Sequence, residues 1–229
     1  MRPYQYPLRL PPLRRLERQD FITGAANADA LAFIESWPDW PATALVLHGP
    51  PGSGKSHLAS IWQRRSRAQT LPPAALAAGE PRSLLGSAKA ALVEDVDQAV
   101  GAVPGLEPAL YALHFALQER GGSLLLTAQR PAAEWPFSLP DLRSRLVAAP
   151  AVAIGQPDDR LLLGVLIKLL ADRQLDYSPQ VLRYLLPRIE RSHAFLRSLA
   201  DGLDAGAMAA RRRRRRVTLP LAQRVLRSL

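Results

Sequence analysis

The stretch Ala44-Leu45-Val46-Leu47-His48-Gly49-Pro50-Pro51-Gly52-Ser53-Gly54-Lys55-Ser56 governs how the rest of the chain is read. Its first five residues are a short apolar run of the kind that forms a parallel strand buried on both faces. The next eight match G-x-x-x-x-G-K-[ST] at every fixed position. Glycines are needed because the backbone must curl until its N–H groups point at phosphate oxygens, which side chains would obstruct. In this pattern Lys55 reaches the outer phosphates, and the Ser56 hydroxyl joins a Mg²⁺ shell. Residues 55–67 read as a helix, whose positive end adds to the attraction for an anion. A chance match in a chain of 229 residues is on the order of one in a hundred. The flanking strand and helix make chance rarer still.

Such a loop requires acidic partners at the end of a neighbouring strand. Ala90-Ala91-Leu92-Val93-Glu94 is a second buried-strand candidate, followed by Asp95 and then Asp97. One carboxylate beside the metal shell and another orienting the attacking water would complete the chemistry. Glu94 is assigned to the metal side and Asp95 to the water side. Without the loop upstream, the same residues would be an ordinary acidic turn.

Outward from this pair the chain alternates. A short helix over 27–36 precedes the first strand, and a helix over 107–120 carries Leu110, Leu113, Ala116 and Leu117 on one face. Gly121-Gly122 ends it, Ser123 to Thr127 forms a third strand, and Ala151 to Ile154 a fourth. Residues 68–88 are Ala/Pro-rich and weakly patterned. After Pro157 strand signals cease, and helices are expected over 158–173, 178–189, 193–205 and 219–228. Strand–helix alternation followed by helices alone implies an α/β core with a helical appendage. The expected divisions are a leader over 1–18, a nucleotide-binding core over 19–157 and a helical lid over 158–229.

Composition narrows the class. Apolar residues make up 48% of the chain, enough for a core, and there is no cysteine for disulfides or thiolate metal sites. The longest strongly apolar segment, Leu161 to Leu170, is interrupted by Lys168, so no membrane span is expected. The N-terminal residues lack a continuous hydrophobic block, and a cytoplasmic location is expected. Of the +10 net charge, six lie in Arg211–Arg216, leaving +4 for everything else. Two readings of that run stand: a solvated loop, or a weak, salt-dependent contact with DNA phosphates.

Several segments resemble the AAA+ ATPases of the bacterial replication initiator DnaA, and especially the short Hda-type regulators related to it. The resemblance runs from about Asp20 to Leu229. Gly54-Lys55-Ser56-His57-Leu58 looks like the family's G-K-T-H-L loop ending, and residues 21–27 resemble its F-x-x-G-x-x-N segment. Residues 124–131 are similar to the sensor 1 strand and its T-S-D-R-P ending. Leu142-Arg143-Ser144-Arg145-Leu146 is similar to the L-x-S-R-F arginine-finger motif, and residues 197–204 to the R-E-L-E-G-A-L-N sensor 2 helix. The resemblance implies a parallel five-stranded sheet flanked by helices, with a small all-α lid. It implies ATP or ADP with Mg²⁺, held by Phe21, Ile22, Pro51, Gly52, Ser53, Gly54, Lys55, Ser56 and His57, with Arg197 reaching in from the lid. Glu94 replaces the usual Asp, and Gln129 an acidic sensor residue, which bears on the chain's own hydrolysis.

Arg145 has two readings. By spacing it pairs with Asp141 one helical turn away; by resemblance it reaches the γ-phosphate of a neighbouring subunit, in a partner or in a homo-oligomer. In the leader, Gln5, Leu8 and Leu10 fit Q-x-x-L-x-L, similar to a peptide that docks on the DNA polymerase sliding clamp. The chain stops shortly after the helical segment, which favours a regulator over an initiator carrying its own DNA-binding domain. The resemblance thus implies a regulator that promotes ATP hydrolysis by DnaA in association with the clamp. An autonomous ATPase acting as helicase loader or remodeller, and a nucleotide-gated adapter without catalysis, are the alternatives. A small-molecule kinase is disfavoured by the helical tail.

Overall fold

The computed structural model describes residues 17–209 and 215–229. Helix α1 (Ala28–Glu35) leads to β1 (Ala44–His48) and α2 (Lys55–Ser66). Then come β2 (Gln69–Thr70), α3 (Pro73–Ala78), α4 (Pro81–Leu85), β3 (Ala90–Val93), α5 (Val96–Ala99) and α6 (Leu106–Glu119). Strand β4 (Ser123–Ala128), α7 (Pro140–Ala148) and β5 (Ala151–Ala153) complete the sheet. Beyond it lie α8 (Asp159–Asp172), β6 (Asp176–Tyr177), α9 (Pro179–Leu185), α10 (His193–Ala209), β7 (Arg216–Val217) and α11 (Leu219–Ser228).

The sheet has five parallel strands in the order β2-β3-β4-β1-β5. Period-two alternation sends Ala44 and Val46 of β1 into one core and Leu45 and Leu47 into another. The first core receives α3 to α7, with Leu110, Leu113 and Leu117 of α6 fully buried. The second receives α1 and α2, centred on Trp62. Burial on both faces explains why these strands read as continuous apolar runs. Because β1 is interior, with β4 on one side and β5 on the other, the loop after it opens at the carboxyl edge of the sheet. Ligands of open α/β sheets bind at that edge.

A third cluster joins α8 to α11 through Leu162, Leu166, Leu185, Leu196, Leu199 and Leu203. Helix α8 is capped by Asp158, whose carboxylate accepts from Leu161 N–H at 2.7 Å. The expectation of helices alone after Pro157 is corrected: β6 and β7 form a short parallel pair, Asp176 opposite Arg216 and Tyr177 opposite Val217. The weakly patterned stretch 68–88 also holds structure, the edge strand β2 and helices α3 and α4. Strand β2 is two residues long with both side chains exposed, so it carries no apolar signature. None of the helices among the described residues is long and apolar enough to cross a membrane.

Candidate functional site

The loop between β1 and α2 follows from its glycines. Gly49, Gly52 and Gly54 have φ of 155°, 71° and 110°, conformations in which a β-carbon is strained. At Gly49 such a carbon would also fall 2.3 Å from the Ile154 carbonyl oxygen, so the loop is pressed against the chain leaving β5. Gly54 is the N-cap of α2, and its carbonyl accepts from His57 and Leu58 N–H, leaving the N–H groups of Lys55 and Ser56 without helical acceptors. Lys55 is only 7% exposed, and its Nζ donates to the carbonyls of Gly49 at 2.7 Å and Pro50 at 2.9 Å. Burial pushes its pKa down, while the nearby carboxylates of Asp95 and Asp97 oppose the shift. Ser53 is buried with an unpartnered hydroxyl, whereas Pro51 and Ser56 face outward.

The acidic residues stand at the end of β3, two strands from β1. Glu94 is half-buried, and its Oε1 is buried without a hydrogen-bond partner. Asp95 is exposed and adopts a left-handed conformation, φ 53° and ψ 40°, which costs a non-glycine residue about 1–2 kcal/mol. Its N–H donates to the Thr127 hydroxyl of β4 at 3.1 Å, so the neighbouring strand holds the turn. Asp97 is 4% exposed, with one oxygen unpartnered and the other 3.9 Å from Arg130 Nε. An unsatisfied buried carboxylate oxygen beside an anion-binding loop fits a divalent cation, and Ser56 and Glu94 are the residues that would hold it. Among the described residues no cluster of three acidic, His or Cys side chains forms a metal cage.

Residues 21–27 form a second wall. Asn27, 1% exposed, accepts from Gly24 N–H at 2.8 Å and donates to the Ile22 carbonyl at 3.1 Å, fixing the turn. Phe21 is buried and meets the His57 ring edge-on at 5.1 Å, while His57 Nε2 lies 3.0 Å from the Glu17 carbonyl. Ile22 packs beside Gly164 of α8.

The start of α10 closes the arrangement. His193 N–H donates to the Gly52 carbonyl at 3.0 Å, and a β-carbon on Gly52 would lie 2.7 Å from Ser192 Cβ. His193 Nε2 is buried without a partner near Gly54. Burial lowers the pKa of this ring to about 4, helped by the charges of Arg197 and His57. Arg197 is exposed one turn further along α10, and its charge also lowers the pKa of His57. Ser192 and His193 escaped the sequence reading; their only signal is that His193 precedes Arg197 by four residues and so shares its helical face.

Arg145 is placed elsewhere, exposed on α7 with its Cζ 5.4 Å from the centre of the Tyr111 ring. The Asp141 pairing suggested by spacing is not formed: among the described residues Arg145 has no ion pair. Gln5, Leu8 and Leu10, and Arg211 to Arg214, lie outside the described residues.

No protein-family model matches the chain. It is 26% identical, over an alignment of 240 positions covering 93% of it, to the chromosomal replication initiator protein DnaA of Caulobacter vibrioides. It covers 48% of that protein, so the chain spans about half the length of the curated relatives it matches. Among solved structures, domain III of Thermotoga maritima DnaA superposes with a TM-score of 0.78 at 16% identity, covering 93% of this chain and 96% of that one. AMPPCP-bound DnaA from Aquifex aeolicus gives 0.72 at 16% identity, covering 85% and 67%. A RuvB variant from Thermotoga maritima gives 0.69 at 15% identity, covering 90% and 70%. The chain is therefore similar to DnaA over 93% of its length and has the parallel α/β AAA+ fold of DnaA domain III and RuvB.

Proposed function

We propose that this chain is an adenine-nucleotide-binding regulator of DNA replication initiation. It binds ATP or ADP with Mg²⁺ in the loop after β1 and promotes hydrolysis of ATP held by DnaA. The observation that carries the nucleotide site is the convergence on one loop of Lys55, the carboxylates at the end of β3, the Phe21–Asn27 turn and the Ser192–His193 start of α10. The resemblance of the nucleotide-bearing DnaA structure from Aquifex aeolicus supports adenine as the base. Lys55 and the loop N–H groups would hold the phosphates, Arg197 would approach them from α10, and Phe21 and Ile22 would line the base side. Bound Mg²⁺ would neutralise phosphate charge between Ser56 and Glu94. Asp95, whose N–H is held by Thr127, would orient a water and accept its proton.

The regulatory half of the proposal rests on Arg145. It is exposed, carries no neutralising carboxylate among the described residues and belongs to the motif that resembles an arginine finger. A guanidinium entering a neighbouring subunit's site stabilises the charge that develops on transferred phosphate. The leader residues Gln5, Leu8 and Leu10 would dock the chain on the sliding clamp, bringing it to replicated DNA. Phosphate release from ATP-loaded DnaA, measured with this chain, clamp and DNA, tests the whole. Stimulation that needs Arg145 and the clamp is expected. Equal turnover by the chain alone would instead identify an autonomous ATPase, and binding without any turnover an adapter.

A further inference from the structure

Helix α6 presents a stripe of three polar-capable residues to α7. Glu107, Tyr111 and His114 follow one another at spacings of four and three, which places them on one helical face. Each performs a different task on the neighbouring segment. The Glu107 carboxylate, 8% exposed, accepts from Ser138 N–H at 2.9 Å and Leu139 N–H at 2.7 Å, the two residues that lead into α7. Tyr111, half-buried against the α6 core, offers its ring to the Arg145 guanidinium at 5.4 Å. His114, 8% exposed, follows on α6, and burial together with the charge of Arg145 lowers its pKa.

A carboxylate at this place would hold Arg145 by cancelling its charge, and Asp141 stands one turn away to do so. The ring attracts the cation through its quadrupole and leaves the net charge intact. The arrangement therefore holds the guanidinium in place while keeping it competent for an anion.

We infer that Tyr111 is a positioning residue for Arg145, holding the guanidinium on α7 in a restrained and un-neutralised state from which it engages the polyphosphate of an adjoining nucleotide-bearing subunit. This rests on the proposed finger role of Arg145. Glu107 supports it by fixing where α7 begins.

The test compares Tyr111→Phe, Tyr111→Leu and Arg145→Ala in the full chain. It reads phosphate release from ATP-loaded DnaA, the chain's own ATP affinity, and the NMR shift of the Arg145 side-chain methylene protons. Tyr111→Phe keeps the aromatic face, and is expected to preserve both stimulation and the ring-current displacement of those protons. Tyr111→Leu, of similar bulk, is expected to lose the displacement and to reduce stimulation roughly two- to fivefold, the population given up with an exposed cation–π contact. Its ATP affinity should match that of the unaltered chain, and its melting temperature should fall by no more than a few degrees. Arg145→Ala should abolish stimulation. Loss in Arg145→Ala with full stimulation in Tyr111→Leu overturns the positioning inference and leaves the finger standing. Full stimulation in Arg145→Ala, or none by the unaltered chain, overturns the finger reading and this inference with it. Equal losses in Tyr111→Phe and Tyr111→Leu also overturn the inference, since the aromatic face would then be irrelevant.

Discussion

The backbone N–H of His193 donates to the carbonyl of Gly52 over 3.0 Å, joining the first residue of α10 to the middle of the phosphate loop. The contact is tight, because Ser192 occupies the space where a Gly52 side chain would go. Gly52→Ala should therefore act twice. It meets Ser192 and forces alanine to a φ near 71°. A loss of about 2 kcal/mol of stability, from the clash and the unfavourable conformation, is expected together with weakened nucleotide binding. Denaturant unfolding and an ATP titration check it; wild-type values for both would show that α10 yields freely.

Lys55→Met keeps the aliphatic stem and removes the ammonium. Since that group is the buried cation of the loop, ATP affinity should fall by roughly ten- to a hundredfold, as when a charge-assisted hydrogen bond is lost. The buried Gly49 carbonyl loses its donor, so stability should fall by about 1–3 kcal/mol. Calorimetric titration with ATP and with ADP reads the affinity. Undiminished affinity would place the phosphates elsewhere.

Asp95 offers a trade of stability against turnover. Its left-handed backbone suits glycine, so Asp95→Gly should be no less stable than the natural chain, and more stable by up to about 1 kcal/mol. Any hydrolysis that uses the carboxylate should disappear while nucleotide affinity remains. Thermal melts beside single-turnover phosphate release decide it; retained turnover would remove Asp95 from the water side.

The stability of the α10 contact should depend on pH with a definite sign. His193 has a folded pKa of about 4, below its ordinary value of 6.5, so the unfolded chain binds the proton more readily between those values. Stability is then full above about pH 6.5 and is lost as pH falls towards 4, by on the order of 3 kcal/mol from this ring. His48, His57 and His114 are shifted in the same direction by burial and steepen the slope. His193→Gln should flatten the pH profile of the melting temperature across this window. An unchanged slope would mean that the ring takes its proton without opening the contact.

Legibility in the sequence tracks burial. Strands β1, β3, β4 and β5 follow apolar runs because the first three are covered on both faces, and β5 continues into buried Ile154. Strand β2 escapes because Gln69 and Thr70 lie exposed at the edge, where only backbone pairing to Ala91 and Leu92 defines it. The pair β6–β7 escapes for the same reason, two residues to each strand and far apart in the chain. In the candidate site, the loop and the Glu94–Asp95 pair are readable because each is contiguous. The seat of α10 on Gly52 is not, since its partners are brought together only by folding.

By itself the sequence determined the curled glycine loop after β1 and the acidic end of β3. It also determined the apolar runs that must pair as a parallel sheet, because local conformation and burial periodicity are written residue by residue. Tertiary structure decided which elements wall that loop and where Arg145 rests. It set Ser192 and His193 against Gly52, and it placed the guanidinium over Tyr111 instead of beside Asp141. Those choices depend on how helices pack across the sheet, and the spacing of residues along one helix does not contain that information.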